Sequence, residues 1–113
     1  MPDARRLILA VEESDSTLRL RLTGDFDVAG VRAVENALDR VCRAPPPSRV
    51  VFDLRGLAFL DVAGLRTILR ADARGRAEAF QVVLLRPRGT ANRVFTLTRA
   101  GARLSIIDDA EAV

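Results

Sequence analysis

The chain contains no histidine, no lysine, no tryptophan and no tyrosine, and a single cysteine. Without histidine there is no Ser-His-Asp triad, no Cys-His pair and no His-ligated metal. Without lysine, all 18 basic residues are arginine, whose guanidinium stays protonated up to about pH 12. The chain is therefore basic on titration, yet its formal net charge is only +3. With neither Trp nor Tyr, and five Phe set mostly in apolar runs, it lacks the stacking aromatics and dense basic stripe of a nucleic-acid reader, so no direct nucleic-acid partner is expected. Lone Cys42 has no intrachain partner for a disulfide and falls in a helical pattern, where it reads as a small buried hydrophobe. Long apolar runs are also missing. Leu7–Val11 comes after Arg5 and Arg6 but ends at Glu12 and Glu13, too short for a signal-peptide core or a bilayer span. No membrane insertion and a cytoplasmic location are expected.

What is present fits one folded domain over residues 1–113. Hydrophobic residues make up 49% and charged residues 29%, a composition that supports a core rather than disorder. Leu7–Val11 reads as a strand and Ser14-Asp15-Ser16 as a turn. Leu18, Leu20 and Leu22 alternate with Arg19 and Arg21, the period of a strand with one wet face, so a hairpin is expected. Asp27 is placed to cap a helix whose apolar face is Val28, Val31, Val34, Leu38 and Val41. Pro45-Pro46-Pro47 stops that helix. Val50–Leu54 reads as a central strand, with a short loop after it. A second helix is expected from about Ala63, with Leu65, Ile68, Leu69 and Ala73 inward and Gly75 at its end. Phe80–Leu85 is a further strand. Thr90 is the expected cap of a third helix carrying Val94, Phe95 and Leu97, with Gly101 near its end. Leu104–Ile107 is a short apolar segment, and Asp108–Val113 a helical tail. The order β-β-α-β-α-β-α-β predicts an α/β fold, a single layer of helices on a mixed four- to five-stranded sheet with an N-terminal β-hairpin.

The stretch from Val50 to Leu65 is the most specific signal. An apolar strand ends in Asp53-Leu54, and Asp61-Val62-Ala63-Gly64-Leu65 then opens a helix. This run resembles the signature of the STAS domain, the fold of bacterial anti-sigma factor antagonists, in which apolar strand, Asp and Leu precede Asp-Ser-Ser-Gly-Leu or a close variant. Gly24-Asp25-Phe26-Asp27 is similar to the family's Gly-acidic-apolar-Asp motif before its first helix, and the order and length of the elements match over nearly the whole chain. The resemblance implies a non-catalytic binding module without cofactor or metal. Its implied partner is an anti-sigma factor that is also a GHKL-type serine kinase, engaged by a monomer or weak homodimer. The implied partner-binding residues are Asp27, Asp61, Val62, Ala63, Gly64, Arg66 and Arg70. In the family one signature hydroxyl is the phosphorylation switch, and here Val62 and Ala63 take the hydroxyl positions. Some members serving lipid-transport ABC systems carry Asp-hydroxyl-Ala-Gly-Leu, a register in which Ala63 is normal and Val62 departs.

Other readings of the same residues compete. Glu12-Glu13 and Asp53 at strand ends resemble the acidic pair and phospho-acceptor of a receiver domain. The alternation at residues 18–22, where a receiver has a helix, and the absence of lysine oppose this. Asp25-Phe26-Asp27-Val28 and Asp108-Asp109 resemble the nucleophile and metal ends of a small Mg²⁺-dependent phosphatase, which would need those carboxylates to converge. Against it, Gly24 interrupts the approach, the chain is short, and Asp at strand ends is commonly a cap or turn former. Gly24, Gly30, Gly56 and Gly64 form no phosphate-cradling fingerprint. Arg66, Arg70 and Arg74 recur every four residues, as a solvated helix face or as a basic stripe beside the signature that steers an acidic partner. Thr67 is the nearest hydroxyl within the helix and an alternative phosphosite.

Overall fold

The computed structural model describes residues 6–41 and 45–108. Cys42, the side chain of Val41 and the expected tail from Asp109 onward lie outside the described residues. The chain runs β1 (Ile8–Ser14), β2 (Thr17–Phe26), α1 (Val28–Val41), β3 (Arg49–Leu60), α2 (Val62–Glu78), β4 (Gln81–Leu85), α3 (Gly89–Thr98) and β5 (Ser105–Ile107), with a 3₁₀ turn at Ala100–Ala102. The strands form one five-stranded sheet in chain order. β1 is antiparallel to β2, and β2 to β5 are mutually parallel. Right-handed crossovers that each step one strand in the same direction leave their helices on one face. The core agrees. Val34 and Leu38 of α1, Leu65 and Ile68 of α2, and Phe95 of α3 pack in one cluster with Leu18, Leu20 and Leu22 of β2 and Val50, Phe52 and Leu54 of β3.

The β1–β2 hairpin turns on Asp15 (φ 49°) and Ser16 (φ 66°), two left-handed residues whose twist matches the flanking strands. The Ser16 carbonyl accepts the N–H groups of Ser48 (2.7 Å) and Arg49 (3.3 Å), which ties this turn to the start of β3.

β3 differs from the sequence expectation. No loop comes after Leu54; the strand continues to Leu60. Its register against β2 shifts between Arg21 and Thr23, and again between Gly24 and Asp25. Each shift inserts one extra β3 residue, a β-bulge that re-aims the side chains beyond it. The buried side chains after Leu54 therefore fall at Leu57 and Leu60. That spacing of three does not read as a strand.

Helix ends also differ in detail. Val28 is 75% exposed, because it is the first residue of α1 and sits at the helix mouth rather than over the core. Gly75 does not end α2; the helix runs on to Glu78, and Ala79 takes the left-handed cap with φ 67°. Both Ala79 and Phe80 donate their N–H to the Gly75 carbonyl. A Cβ on Gly75 would lie 2.5 Å from the Phe80 carbonyl oxygen, so the glycine lets the chain fold back into β4. Ala73 is exposed and Ala71 takes the inward place. Thr90 lies inside α3 and is exposed; the N-cap is Arg88, which makes no side-chain capping bond. Phe95 is core, whereas Leu97 is 74% exposed.

The sheet face opposite the helices carries a charge cluster. Asp53 is 2% exposed. Arg55 donates to it through Nε (2.9 Å) and Nη2 (2.8 Å), one bond to each carboxylate oxygen, and through its backbone N–H at 3.2 Å. Arg19 and Arg21 each stand 3.9 Å from Oδ2. The Arg55 hydrogen bonds hold the carboxyl below the ordinary aspartate value of 3.8, against the opposing pull of burial. Glu12 pairs with Arg21 at 3.3 Å. The candidate acidic pocket of a receiver is thus a structural ion cluster, with its aspartate clamped by an arginine fork.

Ala79→Gly relieves a left-handed alanine and is expected to raise stability by about 1 kcal/mol, read as a higher melting temperature. Asp53→Asn removes the negative charge shared by three arginines and replaces one acceptor oxygen with a donor NH2, and is expected to cost roughly 2 kcal/mol at neutral pH. Because the carboxyl titrates lower in the folded than in the unfolded chain, its contribution is complete above about pH 4 and fades as pH falls through its folded value. The gap between native chain and variant in urea unfolding should therefore narrow in acid. A gap independent of pH would rule out the ion cluster as its source.

Candidate functional site

β2 and β3 end side by side, Phe26 opposite Leu60, and each runs straight into a helix through one aspartate. Asp27 Oδ1 accepts from the N–H of Ala29 (3.0 Å) at the mouth of α1. Asp61 Oδ1 accepts from the N–H of Gly64 (2.9 Å) at the mouth of α2. An aspartate at each N-cap satisfies an otherwise free donor and lies against the positive end of the helix dipole. The two mouths are joined directly, because the Asp61 N–H donates to the Phe26 carbonyl at 3.2 Å. Gly64 is buried beneath them. A Cβ there would fall 2.6 Å from the Phe26 carbonyl oxygen and 2.7 Å from Leu60 Cδ1. Its glycine is a packing requirement of the junction, and Leu65 beside it is core.

Around the two capped mouths the surface is apolar. Val28 is 75%, Val62 59% and Phe59 42% exposed; Ala63 is half-buried. These three exposed apolar side chains lie at one end of the domain, Val28 and Val62 at the helix mouths and Phe59 at the end of β3. Of the sequence candidates, the fold brings Asp27, Asp61, Val62, Ala63 and Gly64 together. Phe59 and Val28 join them, and neither is a candidate by sequence. Val28 has the helical spacing of the core face, and Phe59 is turned outward by the second bulge. The failure of period-two alternation between Leu54 and Leu60 is the one sequence signal of that bulge.

The arginine stripe divides. Arg70 pairs with Glu35 of α1 at 3.3 Å, and Arg74 with Asp39 at 2.7 Å and Glu78 at 2.9 Å. These side chains fasten α2 to α1 instead of standing free. Arg66, one turn inside α2, is exposed and has no ion pair among the described residues. Thr67 is 1% exposed, and its hydroxyl donates to the Ala63 carbonyl at 2.9 Å. A kinase cannot reach that oxygen in the folded chain.

The phosphatase constellation does not assemble among the described residues. Asp27 is occupied as a cap, and Asp108 pairs with Arg86 at 2.6 Å. No group of three or more His, Cys, Asp or Glu among the described residues is placed to hold a metal ion.

Fold and site together define a class: a small α/β domain with one helical layer, whose open feature is the capped junction of α1 and α2. A family model described as "Mlab, STAS domain" matches residues 9–107, and the chain belongs to the STAS domain family. Comparison with curated proteins returned no match. Among solved structures, an anti-sigma factor antagonist from Mycobacterium paratuberculosis is 26% identical with a TM-score of 0.75, over 96% of this chain and 91% of that one. The unphosphorylated form of the anti-sigma factor antagonist SpoIIAA is 22% identical with a TM-score of 0.79, over 93% and 92%. The phosphorylated form of the Bacillus cell fate determinant SpoIIAA is 22% identical with a TM-score of 0.72, over 93% and 96%. The fold is that of SpoIIAA.

The weak point of the junction is its glycine. Gly64→Ala drives a methyl into backbone and is expected to cost roughly 2–3 kcal/mol of stability. Val62→Ala, at an exposed position, should change stability by under about 0.5 kcal/mol. Chemical denaturation of the two variants beside the native chain checks both.

Proposed function

We propose that this chain is an anti-sigma factor antagonist-like binding module that sequesters an anti-sigma factor of the GHKL serine kinase type, without catalysis of its own. The observation that carries this reading is the exposure of Val28, Phe59 and Val62 at the end of the domain that holds the Asp61 cap and the STAS signature. Burial of these side chains would supply affinity, at roughly 25 cal/mol per Å² of apolar area less the cost of ordering. Asp27, Asp61 and Arg66 at its rim would set orientation and encounter rate.

Control is the second part of the proposal. A phosphate on the first turn of a helix is held by free N–H groups, and it adds roughly −1.5 to −2 charges that would repel or reshape a docked partner. Val62 and Ala63 offer no oxygen to phosphorylate, and Thr67 is closed off. The module would therefore not be switched at this place, and would act as a constitutive antagonist, a decoy, or a partner regulated by abundance.

A second reading is an accessory subunit of a lipid-transport ABC system. Ala63-Gly64-Leu65 favours it, matching the Asp-hydroxyl-Ala-Gly-Leu register of STAS members in those systems, from which Val62 departs, and the Mlab description of the matched family model sits with it.

The test is binding to a purified GHKL-type anti-sigma kinase, with an ABC ATPase subunit in parallel. Val62→Glu is expected to weaken the anti-sigma complex at least about tenfold and leave the melting temperature unchanged. With kinase and ATP, mass spectrometry should find the native signature unmodified and phosphate on Val62→Ser or Ala63→Ser. Binding to the ATPase alone would transfer the surface to the second reading. A native chain phosphorylated on this surface, with loss of partner, would refute the switchless antagonist.

A further inference from the structure

The charge of this chain is not spread evenly. Residues 79–107 hold five arginines and no acidic residue, whereas the remaining positions hold thirteen arginines and all fifteen acidic residues. On α1 and α2 three of the six arginines meet carboxylates, Arg70 with Glu35, Arg74 with Asp39 and Arg76 with Asp72, while Arg32, Arg40 and Arg66 have no ion pair among the described residues. Asp108, which follows β5, is taken by Arg86. Arg88, Arg93, Arg99 and Arg103 are all exposed and have no ion pair among the described residues.

α3 is also unlike the other two helices at its ends. Arg88 occupies the N-cap where α1 and α2 have aspartate, and no acidic residue lies in the first turn. That adds positive charge to the positive end of the dipole. At the other end Arg99 holds φ 62°, a left-handed conformation that costs a non-glycine residue about 1 kcal/mol. Between them Leu97 is 74% exposed. It stands one turn after Arg93 on the side away from buried Ala91 and Phe95.

The chain itself contains a worked example of what satisfies such a face. α1 seats Leu38, 4% exposed, in the core and offers Glu35 and Asp39, one turn apart, to Arg70 and Arg74 of α2. We propose that Arg88, Arg93, Leu97, Arg99 and Arg103 form a second docking surface, separate from the α1–α2 junction, that takes an acidic amphipathic helix of a partner protein. Arginine favours this occupant, since its planar fork pairs two-pronged with a carboxylate. A single exposed leucine is too little apolar surface to enter a bilayer interface, and no aromatic is present to stack a base.

The experiment is an NMR titration of the ¹⁵N-labelled chain with a synthetic amphipathic helical peptide of glutamate and leucine. Vesicles of phosphatidylcholine and phosphatidylserine serve as the rival probe. Amide shifts should concentrate between Arg88 and Arg103 and weaken with added salt. Arg88→Glu with Arg93→Glu, which suits the helix dipole and so does not destabilise α3, should lower peptide affinity about tenfold. Leu97→Ser should lower it about threefold. Arg32→Glu with Arg40→Glu, the same charge change on α1, should leave it unaltered. Equal losses in the α1 control, shifts spread over the whole surface, or vesicle binding as strong as peptide binding would each overturn the proposal. None of these outcomes depends on Val62, so failure here is distinguishable from failure of the antagonist reading.

Discussion

Everything at the candidate site depends on how closely Gly64 approaches the Phe26 carbonyl. The Asp61 N–H bonds to that same carbonyl, and the space a Cβ would need on Gly64 is already filled by it and by Leu60. The first turn of α2 is therefore pressed onto the end of β2, and the mouths of α1 and α2 open side by side. With both ends capped by aspartate, the polar requirements of the junction are met internally. Val28, Phe59 and Val62 are left exposed at this end, and under the proposed function they are the contact surface.

The two bulges in β3 set the geometry of this end. Without them β3 would keep strict alternation along its length. With them it spans twelve residues, Arg49–Leu60, beside the ten of β2, ends level with Phe26, keeps Leu57 and Leu60 in the core and turns Phe59 out. Bulges commonly re-aim side chains near sites in this way.

Charge pairing is uneven over the molecule. Asp53 organises Arg19, Arg21 and Arg55 on one sheet face, and α1 supplies carboxylates to α2. The exposed pairs between α1 and α2 contribute little to stability individually, unlike the buried Asp53 cluster. Arg88, Arg93, Arg99 and Arg103 around α3 have no such complement among the described residues. The arginine stripe of α2, conspicuous in the sequence, is mostly spent on internal pairing.

Much of the fold is legible in the sequence because short-range physics governs it. Leu18, Leu20 and Leu22 alternate with arginines, and no other element satisfies that period. Asp27 and Asp61 precede apolar helical patterns as caps do. The signature around Gly64 points to the family without any geometry. The features that the sequence leaves open depend on contacts between distant residues. Whether Gly75 ends a helix or admits Phe80 is decided by where β4 must go. Whether Val28 is core or mouth depends on the end of β2, and whether Arg70 and Arg74 stand free depends on α1 lying alongside. The linear chain determined the elements, the caps and the absent hydroxyl, since each is a property of a residue and its near neighbours. Only the tertiary structure decided which apolar side chains remain exposed and which charges remain unpaired, because burial and pairing belong to the packed assembly and not to the residue.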